Sequence, residues 1–153
     1  MFSKFFSKPK TQPSAMYPDY LTQPMRQELL DLGFQDLRKI EEVDELMKKE
    51  GTTLLVVNSV CGCAAGAARP AVRLALQSSE LKPSQVATVF AGVDMEATQK
   101  ARQYMLPYPA SSPSIALFKD GELVHFIERH HIEGRTPKMI AENLLAAFEE
   151  FCQ

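Results

Sequence analysis

The sequence predicts an α/β fold: a central mixed sheet built from a βαβ unit followed by a ββα unit, flanked by helices, with extra helices before it. Three observations predict it. Two short, apolar, β-branched runs, "TTLLVVN" (52–58) and "QVATVFAGVD" (85–94), lie on either side of an alanine-rich segment. A hairpin sequence, "SIALFKDGELVHFI" (114–127), follows them. The chain then closes on "TPKMIAENLLAAFEEF" (136–151), whose apolar residues recur at helical spacing.

Residues 1–20 are rich in Ser, Pro, Lys and aromatic residues without a sustained period, and read as a flexible arm ahead of a domain spanning 21–153. Phe2, Phe5 and Phe6 with the nearby lysines offer the alternative of a weak surface anchor, since one short basic-aromatic segment holds a membrane only marginally. The arm lacks the continuous apolar stretch of a secretory signal. Two short helices come next. "PMRQELLDLG" starts with Pro24 near its first turn, sets Met25, Leu29 and Leu32 on one face, and stops at Gly33. "IEEVDELMKKEG" places Ile40, Val43 and Met47 on one face, with acids early and lysines late, as the helix dipole favours.

"TTLLVVN" then has the look of a strand buried on both faces. "CAAGAARPAVRLALQ" (63–77) reads as a helix bent by Pro70, and "MEATQKARQYM" as the helix after the second strand. Two such strands joined by a helix make a right-handed parallel unit. In the hairpin, Asp120-Gly121 suits a type I′ turn. The last helix has Thr136 as N-cap, Pro137 at its first position, and Ile140, Leu144, Phe148 and Phe151 on its apolar face. Strand, helix, strand, helix, hairpin, helix is the order of the thioredoxin core.

The chain has 153 residues, 45% of them hydrophobic and 24% charged, with a formal charge of -2. That size fits one domain with a real core. The charge gives no electrostatic reason to expect nucleic acid or a membrane surface as partner. No stretch reaches the ~20 apolar residues that cross a bilayer, and a cytoplasmic location is the expectation. Three cysteines are too few, and odd in number, for a disulfide scaffold. In a reducing compartment a close pair is more often catalytic or metal-binding.

That pair is Cys61 and Cys63, in "SVCGC". The predicted strand ends near Asn58 and the helix begins near Cys63, so both sulfurs lie where free backbone N–H groups and the helix dipole favour negative charge. Such positions lower a cysteine pKa from ~8.5 towards the ~3.5–7.5 of reactive thiols. The alanines that follow keep bulk away, and Gly62 lets the backbone bend tightly. A disulfide closed over one residue departs from relaxed geometry and is easier to reduce. This suits a protein that takes a thiol adduct off another protein better than a strong general reductant. Two other readings stand beside it: inert core thiols, and a metal site in which histidines complete a lone C-x-C. Cys152 reads as a structural or solvent-facing thiol.

A second candidate element is "YPASSPSIALF", where the strand after the second helix begins beside the cysteine turn. Pro113, if cis, presents the backbone of Ser112 and Ser114 to an extended substrate strand; Pro107 and Pro109 read as loop stiffeners. A third is "ERHHIEGR" (128–135), which the hairpin returns to the same end of the sheet. His130 or His131 could stabilise a thiolate or move protons, and Arg129 or Arg135 could hold an anionic group on a small thiol. A solvated polar loop is the alternative. His125 reads as a surface residue of the hairpin.

"PMRQELLDLGF", "TTLLVVNSVCGCAAGAARPAV" and "SPSIALFKDGELVHFIERHHIEGR" resemble the bacilliredoxins, small thioredoxin-fold proteins with a Cys-Gly-Cys motif. The likeness runs from about Tyr20 to the end, leaving some twenty residues ahead of it. It implies a thiol–disulfide oxidoreductase that removes bacillithiol, or a similar low-molecular-weight thiol, from protein mixed disulfides. It implies that Cys61 attacks and that Cys63 is the resolving or modulating thiol. The implied partners are bacillithiolated client proteins, bacillithiol as redox co-substrate and its reductase, with no tightly bound cofactor. A disulfide isomerase or weak general thiol reductase is the alternative within the same chemistry.

Overall fold

The computed structural model describes residues 15–153; the expected arm therefore lies mostly outside the described residues. Five strands form one mixed sheet in the order β1-β3-β2-β4-β5. They are β1 (Gln35–Asp36), β2 (Thr52–Asn58), β3 (Gln85–Phe90), β4 (Ser114–Lys119) and β5 (Glu122–Ile127). β2 runs parallel to β3, as the βαβ reading requires, and antiparallel to β4, while β4 and β5 pair antiparallel as the expected hairpin. β1, two polar residues with no hydrophobic signature, was not expected; it pairs parallel to β3 at the sheet edge.

Helices α1 (Asp19–Leu30), α2 (Ile40–Met47), α3 (Arg69–Ser78), α4 (Met95–Gln103) and α5 (Pro137–Phe151) cover the sheet. Every residue of β2 is buried, so its alternate side chains feed two cores. Leu54 and Val56 face a core with Ala71 and Val72 of α3 and Ile140, Leu144 and Phe148 of α5. Leu55 and Val57 face another, with Val43 and Leu46 of α2 and Ala97 and Ala101 of α4. At ~25 cal/mol per Å² of apolar surface, this two-sided burial makes β2 the strand on which the site is rigidly mounted.

Helix α1 differs from expectation. It begins at Asp19, so Pro24 sits inside it, and the buried residues are Thr22, Arg26 and Leu29. The carbonyl that Pro24 leaves unbonded belongs to Tyr20, which is 84% exposed and can bond water. Met25 and Leu32 are only half-buried because the inward face is claimed by an ion-paired arginine.

The bend expected at Pro70 takes a specific form. A π-helical turn, Ala64–Ala68, precedes α3, and Pro70 stands in the first turn of α3. A proline has no N–H and its ring crowds the carbonyl four residues back, and the wider turn accommodates both. In the hairpin, Asp120 and Gly121 have φ of 51° and 81°, the left-handed pair of the expected type I′ turn. Thr136 Oγ1 accepts from Met139 N and caps α5. The Ser112–Pro113 bond is cis; so is Leu106–Pro107, where only a loop stiffener was expected.

Candidate active site at the end of β2

The site begins where β2 stops. Asn58, 1% exposed, donates through Nδ2 to Met25 O at 3.2 Å, and its Oδ1 accepts from Ser59 N at 2.9 Å. Arg69 Nη1 donates to the same Oδ1 and to Ser59 O, both at 3.0 Å, while its Nε donates to Glu28 Oε2 at 2.7 Å. A buried guanidinium thus clamps the turn from beneath. Ser59 Oγ in turn accepts from Cys61 N at 3.2 Å. Cys61 O accepts from Ala64 N and Ala65 N, which starts the helix directly after the first cysteine.

Cys61 and Cys63 are both free and half-buried, their sulfurs 2.8 Å apart. The two thiols are not equivalent. Burial opposes ionisation of Cys61, yet its pKa falls below the usual thiol value. The hydrogen bond from Cys63, the Ser59 hydroxyl, the Ala64 N–H and the charge of Arg129 together outweigh the burial. Cys63 moves the other way: burial, its hydrogen bond to Cys61 and the negative charge on that sulfur raise its pKa, with Arg129 opposing. The first ionisation of the pair therefore falls on Cys61, with Cys63 as its hydrogen-bond donor.

A cleft of about 350 Å³ opens beside Cys61, lined also by Ser59, Val60, Met95, Arg102, Ser112 and Arg129. Tyr17 and Met16 form part of its wall. They are held because Met16 N donates to Gly92 O at 2.7 Å and Tyr17 packs where Gly92, at φ 82°, has no side chain. A Cβ there would lie 2.8 Å from the tyrosine ring.

Of the residues singled out in the sequence, the structure gathers Cys61, Ser112 and Arg129 at this cleft, with Cys63 beside Cys61 and Pro113 next to Ser112. Arg129 Nη1 donates to Ser112 O at 3.1 Å and its Nε to Glu133 Oε1 at 2.6 Å. Ser114 is 1% exposed and bonds Ser111 O, so its hydroxyl faces inward. His130, His131 and Arg135 do not join them. Residues 129–131 form a 3-10 turn, which sends successive side chains about 120° apart, so Arg129 alone enters the cleft. His131 Nδ1 accepts from Glu128 N, and His131 and Arg135 line a separate groove with Ile140 and Asn143. His130 is exposed, stacked on His131 and 3.4 Å from Glu128 Oε2.

His125, expected at the surface, is half-buried against α5 and bonds Asn143 Oδ1 at 2.6 Å, because β5 turns that face towards the last helix. Cys152 is 9% exposed and lies in the α3/α5 core, where burial raises its pKa. Its neighbours Thr52 and Lys119 pair at the opposite end of the sheet from Cys61. Among the described residues, no group of three or more His, Cys, Asp or Glu side chains gathers as metal ligands do. No described helix is long and apolar enough to cross a membrane. Sequence reasoning missed Arg69, Asn58 and Arg102. Nothing in a helical pattern separates an arginine turned inward from one reaching for water.

Solved structures share this architecture. A thioredoxin mutant from Halobacterium salinarum matches with a TM-score of 0.54 at 18% identity, over 77% of this chain and 89% of its own. The thioredoxin of Trypanosoma brucei brucei gives 0.52 at 16%, over 76% and 91%. These likenesses show the thioredoxin fold. In this chain a polarised sulfur pair is mounted at the strand-to-helix turn of that fold.

Sequence relatives narrow the class. A protein-family model described as disulphide isomerase matches residues 17–152. A bacilliredoxin of Cytophaga hutchinsonii is 59% identical, covering 88% of this chain and 99% of that protein. Another, of Geobacillus kaustophilus, is 55% identical over 91% and 99%. The chain belongs to the bacilliredoxin family, and with its fold and sulfur pair it is a thiol–disulfide oxidoreductase.

Proposed function

We propose that this protein removes bacillithiol, or a closely similar low-molecular-weight thiol, from mixed disulfides on client proteins. The observation that carries the reading is the asymmetry of the pair: Cys61 is favoured as thiolate while Cys63 keeps its proton 2.8 Å away. The Cys61 thiolate attacks the small thiol's sulfur. A bond forms between Cys61 and that sulfur, and the bond to the client breaks. The client cysteine departs as a thiolate with the electron pair and then takes a proton, so the exchange has no net oxidation. Cys63 can then attack Cys61 Sγ and expel the small thiol, leaving the pair oxidised. Alternatively a second small thiol resolves the adduct from outside. Either route ends in a two-electron reduction that bacillithiol and its reductase would supply. Ser112 and Pro113 are the segment against which the client backbone would lie, and Arg129 holds the charge that favours the Cys61 thiolate. No tightly bound cofactor enters the scheme, and three free thiols suit a reducing cytoplasm.

A client protein carrying bacillithiol, offered to wild type, Cys61→Ala and Cys63→Ala, tests it. Cys61→Ala should remove no adduct, and Cys63→Ala should accept one and hold it on Cys61, where its mass names the thiol. Undiminished removal by Cys61→Ala would overturn the assignment. The description of the matching family model favours a second reading, disulfide isomerisation. Reactivation of a scrambled multi-disulfide protein, at rates matching adduct removal, would support it instead.

A further inference from the structure

Arg102 is a charged side chain of the cleft that the scheme above leaves unused. It projects from α4 and lines the same cleft as Cys61 and Arg129. Its Nε is buried without a hydrogen-bond partner among the described residues. Burial pulls its pKa down, and no neighbouring carboxylate pushes it back. No described Asp or Glu lines the cleft; Glu133 is paired with Arg129 and Asp94 with Arg26. Residues 1–14 contain no Asp or Glu. Arg102 as a whole is half-buried, so its guanidinium has given up part of its hydration without gaining an anion, which carries a desolvation cost. A ligand that supplied the anion would recover that cost on binding.

The other walls specify the ligand further. About 350 Å³ falls in the range of small-molecule sites, and Val60, Met95 and Tyr17 offer apolar contact rather than more charge. Arg129 adds a second cation, already shared with Glu133, whose charge reaches both sulfurs. An arginine fork binds a carboxylate through two parallel hydrogen bonds, with a geometry that a lysine lacks. We infer that Arg102 is a specificity-determining residue that receives a carboxylate of the small thiol, so that the cleft selects anionic low-molecular-weight thiols while their sulfur is presented to Cys61. The inference rests on the adduct-removal reading and deepens it.

One client with a single cysteine, loaded with either mercaptosuccinate or 2-mercaptoethanol, separates the two. In Arg102→Met, removal of mercaptosuccinate should fall about tenfold or more, the scale of one hydrogen-bonded charge pair. Removal of 2-mercaptoethanol should stay within about twofold, which also shows that the variant is folded. Arg102→Lys should restore part of the loss, since it returns the charge without the fork. Should Arg102→Met not fold, Arg102→Gln carries the same comparison. Equal falls for both adducts, or no fall for either, would overturn the inference. Wild type that clears 2-mercaptoethanol but shows no dependence on Arg102 leaves the adduct-removal reading standing alone. Wild type that clears neither adduct ends both.

Discussion

Two arginines near the sheet's C-terminal end face opposite situations. Arg26, 1% exposed, donates to Asp36 Oδ1 at 2.6 Å and to Asp94 at 2.8 and 3.2 Å, and lies over the Phe90 ring. Burial would lower its pKa, but Asp94 and Asp36 reverse the shift and hold the charge. Asp94 also accepts from Phe90 N, so this network ties α1 to the end of β3. Arg102 is half-buried, and no carboxylate offsets the desolvation that lowers its pKa. The difference teaches how to sort buried charge: a group whose partners are internal serves the fold, and one left without them is directed at a visitor.

The comparison predicts unequal costs. Arg26→Met should destabilise the protein by about 3–5 kcal/mol, the range for removing one partner of a buried pair and stranding the other. A urea melt that loses less than about 1 kcal/mol would break the comparison. Arg69→Met should cost about 2–3 kcal/mol, since it strips charged hydrogen bonds from the turn below Cys61. It should also slow alkylation of Cys61, a change that loss of stability alone would not produce.

Smaller effects belong to the cleft. Iodoacetamide should label Cys61 faster than an ordinary thiol at neutral pH, with its titration midpoint below the ordinary thiol value and that of Cys63 above it. The sign follows from the shifts: a lowered pKa means more thiolate at pH 7, a raised one less. Arg129→Met removes positive charge and should move the Cys61 midpoint up, slowing neutral-pH labelling about two- to threefold. A midpoint that stays in place would show that the Cys63 and backbone donors suffice. Arg102→Met should change stability least, by under about 1 kcal/mol, because it strands no carboxylate.

What the sequence made legible follows from what periodicity can encode. β2, the hairpin turn and α5 each carry a local signal: an unbroken apolar run, a left-handed pair at Asp120-Gly121, and a Thr-Pro start. The Cys-Gly-Cys turn was legible because residue type and topology agreed. The start of α1 was not, because Pro24 looks like a first-turn residue and its tolerance depends on an exposed Tyr20. Nor was β1, whose pairing is set entirely by its neighbour β3. The choice of Arg129 over His130 and His131 depends on one 3-10 turn, and the roles of Arg69 and Arg102 on contacts between residues distant in sequence.

Gly92 carries a practical corollary. Because it seats Met16 and Tyr17, the mouth of the pocket is built partly from residues that a cloner would regard as dispensable leader. A recombinant version trimmed at Pro18 would keep its sulfur chemistry behind a wider doorway. Turnover numbers gathered on it would then describe a less selective reagent than a chain that keeps Met16 and Tyr17.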